Sequence, residues 1–155
     1  KRYIKGNYFL MLLPDDLIIN KNCSKEMIKI YKTKKSSVIA TKKVNPKSVS
    51  RWGILSTKNK KNNSFEIKDV IEKPSVKKAP SNYAIIGRYI LPKKIMGILK
   101  NQKASKDGEI HITDAIKDLI YNGEKFYGNI FKGKYLDSGT LEGYIKSNLK
   151  ISKLK

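Results

Sequence analysis

An α/β fold built on a mixed central sheet is what this 155-residue chain predicts, and three observations predict it. Apolar runs of strand length alternate with segments of helical period. Two of the runs, 52–56 and 65–72, flank a polar stretch like the arms of a hairpin, which adds an antiparallel pair to the sheet. Finally, Asp15, Glu72, Lys73 and Asp137 all fall where predicted strands end, the place where ligands gather in open α/β sheets.

The elements follow in order. Residues 8–13 are apolar on both alternating faces and read as a buried central strand that stops at Pro14-Asp15-Asp16. A helix is predicted over 24–34, capped by Ser24, with Met27, Ile28, Ile30 and Tyr31 towards the core. Strands follow at 37–44 and, after a polar turn at Asn45-Pro46, at 52–56. Residues 58–63 carry no apolar side chain and read as an exposed hairpin tip, from which 65–72 returns as a strand. After a strand at 83–91, Pro92 opens a short helix through Leu99. Thr113 is the expected N-cap of the next helix, with Ile116, Leu119 and Ile120 on one face and Gly123 as its stop. Short strands at 126–131 and 135–137 precede a last helix from Gly139 to about Lys150.

Composition narrows the classes. The length suits one domain with a real core, and the longest apolar stretch, 9–13, is far too short to span a membrane. A single cysteine, Cys23, excludes an internal disulfide, suits a reducing, cytoplasmic compartment, and has no catalytic partner pattern, so a core thiol is expected. The net charge of +21 suggests nucleic acid at first sight. The cations are spread through nearly every loop, however, and only three of the 34 are arginine, the residue suited to bidentate phosphate and base contacts. No specific nucleic-acid binding is therefore expected. The chain opens on Lys1 with no secretory-signal pattern, and we expect a piece of a longer protein.

Residues 71–91 carry the most information. Glu72 can accept hydrogen bonds from hydroxyls and Lys73 can meet a phosphate as a compact cation, with Pro74 ending the strand that bears them. On these residues alone two readings stand: a sugar-phosphate grip, or a solvated strand end with an incidental Glu-Lys pair. Likewise Asp15 and Asp137 are either metal ligands or caps for the segments that follow them.

Five segments in order bear on the choice: Leu12-Leu13-Pro14-Asp15-Asp16; Trp52-Gly53-Ile54 with Ile71-Glu72-Lys73-Pro74; Ala79-Pro80-Ser81-Asn82-Tyr83-Ala84-Ile85-Ile86-Gly87-Arg88-Tyr89; Gly108-Glu109-Ile110-His111-Ile112-Thr113-Asp114-Ala115-Ile116; and Tyr135-Leu136-Asp137-Ser138-Gly139 followed by Gly143-Tyr144. Together they resemble the C-terminal part of the bacterial UTP–glucose-1-phosphate uridylyltransferases, a branch of the sugar-phosphate nucleotidyltransferases. The resemblance implies a Rossmann-like mixed sheet with flanking helices, in which residues 1–155 form the sugar-binding portion of one domain. It implies UTP and glucose 1-phosphate as substrates, UDP-glucose and pyrophosphate as products, Mg²⁺ as cofactor, and a homo-oligomer in the full-length protein.

Residue by residue, Asp15 and Asp137 match the family's metal carboxylates, Glu72 the acceptor for glucose hydroxyls and Lys73 the cation on the sugar phosphate. Gly53 matches a backbone contact where a side chain would obstruct the sugar, and Ile85 lies where the strand passes the hexose. Asn82 stands open between ligand and turn residue, and Trp52 between pocket wall and core. His111 occupies a position where the family often has Gln; with no Cys, His or carboxylate at metal-ligand spacing, it is expected to be structural. The family's Gly-rich triphosphate loop has no counterpart here, since no Gly-x-Gly occurs. The resemblance thus implies that the nucleotide-binding part lies outside these residues, leaving the chain alone weakly active or inactive, with an unpaired strand edge and poor autonomous stability. A sister enzyme using dTTP, a non-catalytic remnant and a basic nucleic-acid binder are the competing readings.

Overall fold

Alternation along two strands builds the centre of the molecule. The computed structural model describes residues 3–61, 63–105 and 107–154. On β3 (Ser37–Lys43), Val38 and Ala40 pack with Cys23 and Met27 of helix α1 (Cys23–Lys34), while Ile39 joins Leu55, Ile116 and Phe126 on the opposite face. Strand β6 (Tyr83–Pro92) repeats the pattern, with Ile86 and Ile90 on the α1 side and Ile85, Tyr89 and Leu91 on the other. Both strands are buried on both faces because helices cover both.

The main sheet has the order β1-β6-β3-β7-β5-β4, with β1 (Tyr8–Leu12), β4 (Ile54–Lys61), β5 (Ser64–Ile71) and β7 (Phe126–Ile130). Only β3 and β7 run parallel among the described strands, so the sheet is mixed, as expected. The β4–β5 hairpin shifts register twice, and Ile54 at its base also pairs with Ala84 of β6. Those irregularities let the hairpin bend across the sheet. Helices α2 (Ile95–Asn101) and α3 (Ile112–Tyr121) pack on one face; a separate ribbon of β2 (Asp16–Ile19) and β8 (Lys134–Asp137) leads into α4 (Leu141–Ile151).

Several expectations are corrected. Residues 8–12 lie at the edge of the described sheet and not at its centre: among the described strands β1 pairs only with β6, and Leu10, Leu12 and Leu13 remain exposed. Apolar character on both faces describes its side chains but says nothing of how many neighbours its backbone has. The chain does not stop at Asp16 but turns there into β2, too short to announce itself. Helix α1 is capped by Asn22, whose carboxamide oxygen accepts from the Lys25 N–H at 2.9 Å; Ser24 lies inside the first turn, and Ile28 is exposed. The turn at Asn45-Pro46 winds on as a 3₁₀ helix, Pro46–Arg51, so that β4 begins at Ile54 and not at Trp52. The supposed hairpin tip is largely strand, since β4 extends to Lys61 by backbone pairing that needs no apolar side chain; Asn62 lies outside the described residues. Pro92 closes β6 instead of opening a helix. Helix α3 starts at Ile112 with His111 at its N-cap position, and the Thr113 hydroxyl is turned elsewhere, as described below. The last helix starts at Leu141, with Thr140 accepting from the Gly143 N–H at 3.1 Å.

Cys23 is buried against Met27, and burial pushes its thiol up to about 12. The reactive thiolate is therefore scarce at neutral pH. Iodoacetamide is expected to label Cys23 at least about tenfold more slowly in the folded protein than in urea, as followed by mass spectrometry.

Candidate functional site

Asp15 and Asp137 are brought together by the β2–β8 ribbon. Its antiparallel register sets Asp16 opposite Asp137, and the Ser138 N–H donates to the Asp15 carbonyl at 2.9 Å. Between the two carboxylates lies Gly139, whose N–H donates to Asp137 Oδ1 at 3.1 Å. A Cβ placed on Gly139 would sit 2.9 Å from Asp15 Oδ2 and 3.4 Å from Asp137 Oδ1. The missing side chain thus leaves a small gap flanked by two hard oxygen donors, a donor set that suits Mg²⁺ completed by water and phosphate oxygens.

Next to this pair, Asp16 fastens the ribbon to β6. One of its oxygens accepts from the Gly87 N–H at 2.6 Å, the other accepts from the Tyr135 hydroxyl, and its carbonyl accepts from Arg88 at 2.8 Å. Burial raises the Asp16 carboxyl above the usual carboxylate range against the opposing hydrogen bonds from Tyr135 and Gly87, with Asp15 and Asp137 adding to the rise. Burial and the same Asp16 charge raise the Tyr135 phenol far above its ordinary value.

A second group of residues forms a cleft of about 200 Å³ lined by Arg51, Trp52, Gly53, Glu72, Ile85 and Thr113, among others. Glu72 follows the last residue of β5, and its Oε2 accepts from the Thr113 hydroxyl at 2.9 Å. A Cβ on Gly53 would meet Thr113 Cγ2 at 2.9 Å, Glu72 Oε2 at 3.1 Å and Ile85 Cδ1 at 3.1 Å, so only glycine leaves the cleft open. The backbone is pinned there: the Ile85 N–H donates to the Gly53 carbonyl at 2.8 Å and the Lys73 N–H to the Trp52 carbonyl at 3.0 Å. Lys73 is exposed beside the cleft at a φ of +40°, and its ammonium forms no ion pair among the described residues.

The candidates therefore divide. Gly53, Glu72 and Ile85 share one cleft, and Asp16 and Arg51 line it too, tying it to the Asp15–Asp137 pair next door. Asn82 does not join them: its carboxamide donates to the Val44 carbonyl at 3.0 Å, a strand-start role. Trp52 lines the cleft and packs edge-on to Tyr135 at 5.9 Å. His111 is corrected on one point. Carboxylates do stand at ligand distance, with Asp107 Oδ2 2.7 Å from Nε2 and Glu109 Oε2 4.0 Å from Nδ1, and Asp107, Glu109 and His111 could converge on one ion. Spacings of two and four residues in a loop concealed this, since only the fold of the loop turns the three side chains towards one another. Sequence reasoning also missed Thr113, Asp16 and Arg51, although each adjoins or lies within a quoted motif.

The family model for nucleotidyl transferases matches residues 1–153. The chain belongs to the nucleotidyl transferase family. Among curated nucleotidyl transferases, the UTP–glucose-1-phosphate uridylyltransferase of Pseudomonas aeruginosa is 36% identical over 142 residues, covering 90% of this chain and 50% of the relative. UTP–glucose-1-phosphate uridylyltransferase 1 of Staphylococcus saprophyticus is 33% identical over 154 residues, covering 98% of this chain and 53% of the relative. A crystal structure of a UDP-glucose pyrophosphorylase complexed with UDP-glucose superposes with a TM-score of 0.91 at 36% identity, covering 99% of this chain and 59% of that one. The chain spans about half the length of the curated relatives it matches. Among its described residues, no helix is long and apolar enough to cross a membrane.

Asp16 supplies a pH test. Its folded pKa is raised, so its stabilising contribution is present below the unfolded value and is lost as pH rises through the folded one. Asp16→Asn keeps an acceptor for Gly87 and offers Tyr135 a donor. On going from about pH 4 to about pH 7, the melting temperature of this variant is expected to rise relative to wild type, a comparison made by thermal denaturation of both proteins at each pH.

Proposed function

We propose that the chain is the sugar-binding portion, residues 1–155, of a UTP–glucose-1-phosphate uridylyltransferase domain. The observation that carries this reading is the meeting, at Gly139, of two aspartates from opposite ends of the chain, beside a cleft walled by Gly53, Glu72 and Ile85. The likeness to named uridylyltransferases over nearly the whole chain supports the substrate assignment.

The chemistry follows from the residues. Glu72, oriented by the Thr113 hydroxyl, accepts hydrogen bonds from hexose hydroxyls, while the Gly53 backbone and Ile85 form the wall against which the ring lies. Lys73 meets the phosphate of glucose 1-phosphate with an ammonium that forms no ion pair among the described residues. A phosphate oxygen of the sugar phosphate attacks the α-phosphorus of UTP in line; the new P–O bond gives UDP-glucose, and pyrophosphate leaves with the electrons of the broken bond. No covalent enzyme intermediate is needed, so positioning and charge neutralisation do the catalysis. Asp15 and Asp137 would hold Mg²⁺, which supplies neutralisation of phosphate charge when bound. The reading also takes the protein as cytoplasmic, which the single buried Cys23 suits, and as a homo-oligomer, by the resemblance alone.

The intact protein is expected to form UDP-glucose from UTP and glucose 1-phosphate with Mg²⁺, in preference to dTTP, in a coupled pyrophosphate-release assay. Lys73→Ala is expected to slow turnover about 10²-fold. A folded protein that makes no UDP-glucose, or prefers dTTP, overturns the assignment. Gly53→Ala is expected to weaken UDP-glucose binding by at least about tenfold in calorimetry while circular dichroism stays unchanged, because the added methyl stands where the sugar must lie.

A further inference from the structure

Arg51 stands where the cleft and the aspartate pair meet, and the reaction as derived gives it no task. It ends the 3₁₀ helix, and the two residues that follow it, Trp52 and Gly53, are held by backbone bonds from Lys73 and Ile85. Its guanidinium donates to Asp137 Oδ2 at 3.3 Å and lies 5.6 Å from the centre of the Trp52 ring. The same side chain lines the cleft with Gly53, Glu72 and Ile85, and on the far side of Asp137 a groove with Thr140 and Lys146. Among the described residues its bond to Asp137 is its only hydrogen bond, which leaves most of its five N–H donors free. At 60% exposure the side chain can change rotamer without disturbing the core.

We propose that Arg51 is a positioning residue that changes partner: it neutralises Asp137 while that carboxylate holds no cation, and turns to the phosphate of the sugar phosphate once a divalent cation takes its place. The inference rests on the function proposed above. A guanidinium and a divalent cation repel each other across one carboxylate, so the two compete for Asp137. A sugar phosphate entering the cleft offers the displaced planar guanidinium two phosphate oxygens to grip side by side. Arg51 thereby opposes cation binding in the empty site and no longer opposes it in the substrate-loaded one.

Mn²⁺ titration of the intact protein, followed by electron paramagnetic resonance, tests this with wild type, Arg51→Gln, Arg51→Lys and Asp137→Asn. Without sugar phosphate, Arg51→Gln is expected to bind Mn²⁺ about two- to fivefold more tightly than wild type, the size of an exposed ion pair, and Arg51→Lys to fall between. With saturating glucose 1-phosphate the difference is expected to disappear, and a difference that persists overturns the change of partner. If Asp137→Asn abolishes Mn²⁺ binding while Arg51→Gln titrates as wild type in both conditions, this inference is overturned and the proposed function stands. If Asp137→Asn binds Mn²⁺ as wild type does, the carboxylate assignment fails, and the inference with it.

Discussion

Everything in the site depends on the pairing of two four-residue strands, β2 and β8. Their register sets Asp16 opposite Asp137 and carries Asp15 to the edge of Gly139. Side chains alternate along a strand, so a slip of one residue would turn Asp137 away from Asp15 and Asp16 away from Gly87. Two strands this short cannot hold such a register by their own ladder. Asp16 supplies the missing specification, because its carboxylate and carbonyl together take three hydrogen bonds from Gly87, Tyr135 and Arg88. Burying that carboxylate is costly, as its raised pKa shows, and the cost is tied to one arrangement of ribbon against sheet.

The cleft uses the same economy of parts. Among the described residues Glu72 is held by one hydroxyl, that of Thr113 on α3, and the room beside the pair exists because Gly53 has no side chain. Segment 51–53 belongs to both halves: its carbonyls tie it to Lys73 and Ile85, while Arg51 reaches over to Asp137. Cleft and aspartate pair therefore adjoin one another through three consecutive residues.

Charge acts at two ranges here. With 34 basic residues against 13 acidic, the surface as a whole draws anions, an effect that salt screens within about 8–10 Å. Locally the balance is reversed: Asp15, Asp16, Glu72 and Asp137 gather in one corner of a strongly basic protein. A scarce sign concentrated in one place marks the site more clearly than the total charge, which first suggested nucleic acid.

What the residues alone determined was the alternation of strands and helices, the mixed sheet, and the strand-end positions of Asp15, Glu72, Lys73 and Asp137, because periodicity and turn chemistry are local properties. The motif segments likewise carried Gly53 and Ile85 to the cleft. Only the tertiary structure decided that β1 is an edge, that Thr113 serves Glu72 and not the start of its helix, that Asn82 faces Val44, and that His111 has carboxylate neighbours. The physical reason is common to the first three. A side chain's hydrogen-bonding partner, and a strand's second neighbour, are set by segments distant along the chain, and no local pattern encodes which of several chemically adequate partners the packed fold will bring within 3 Å.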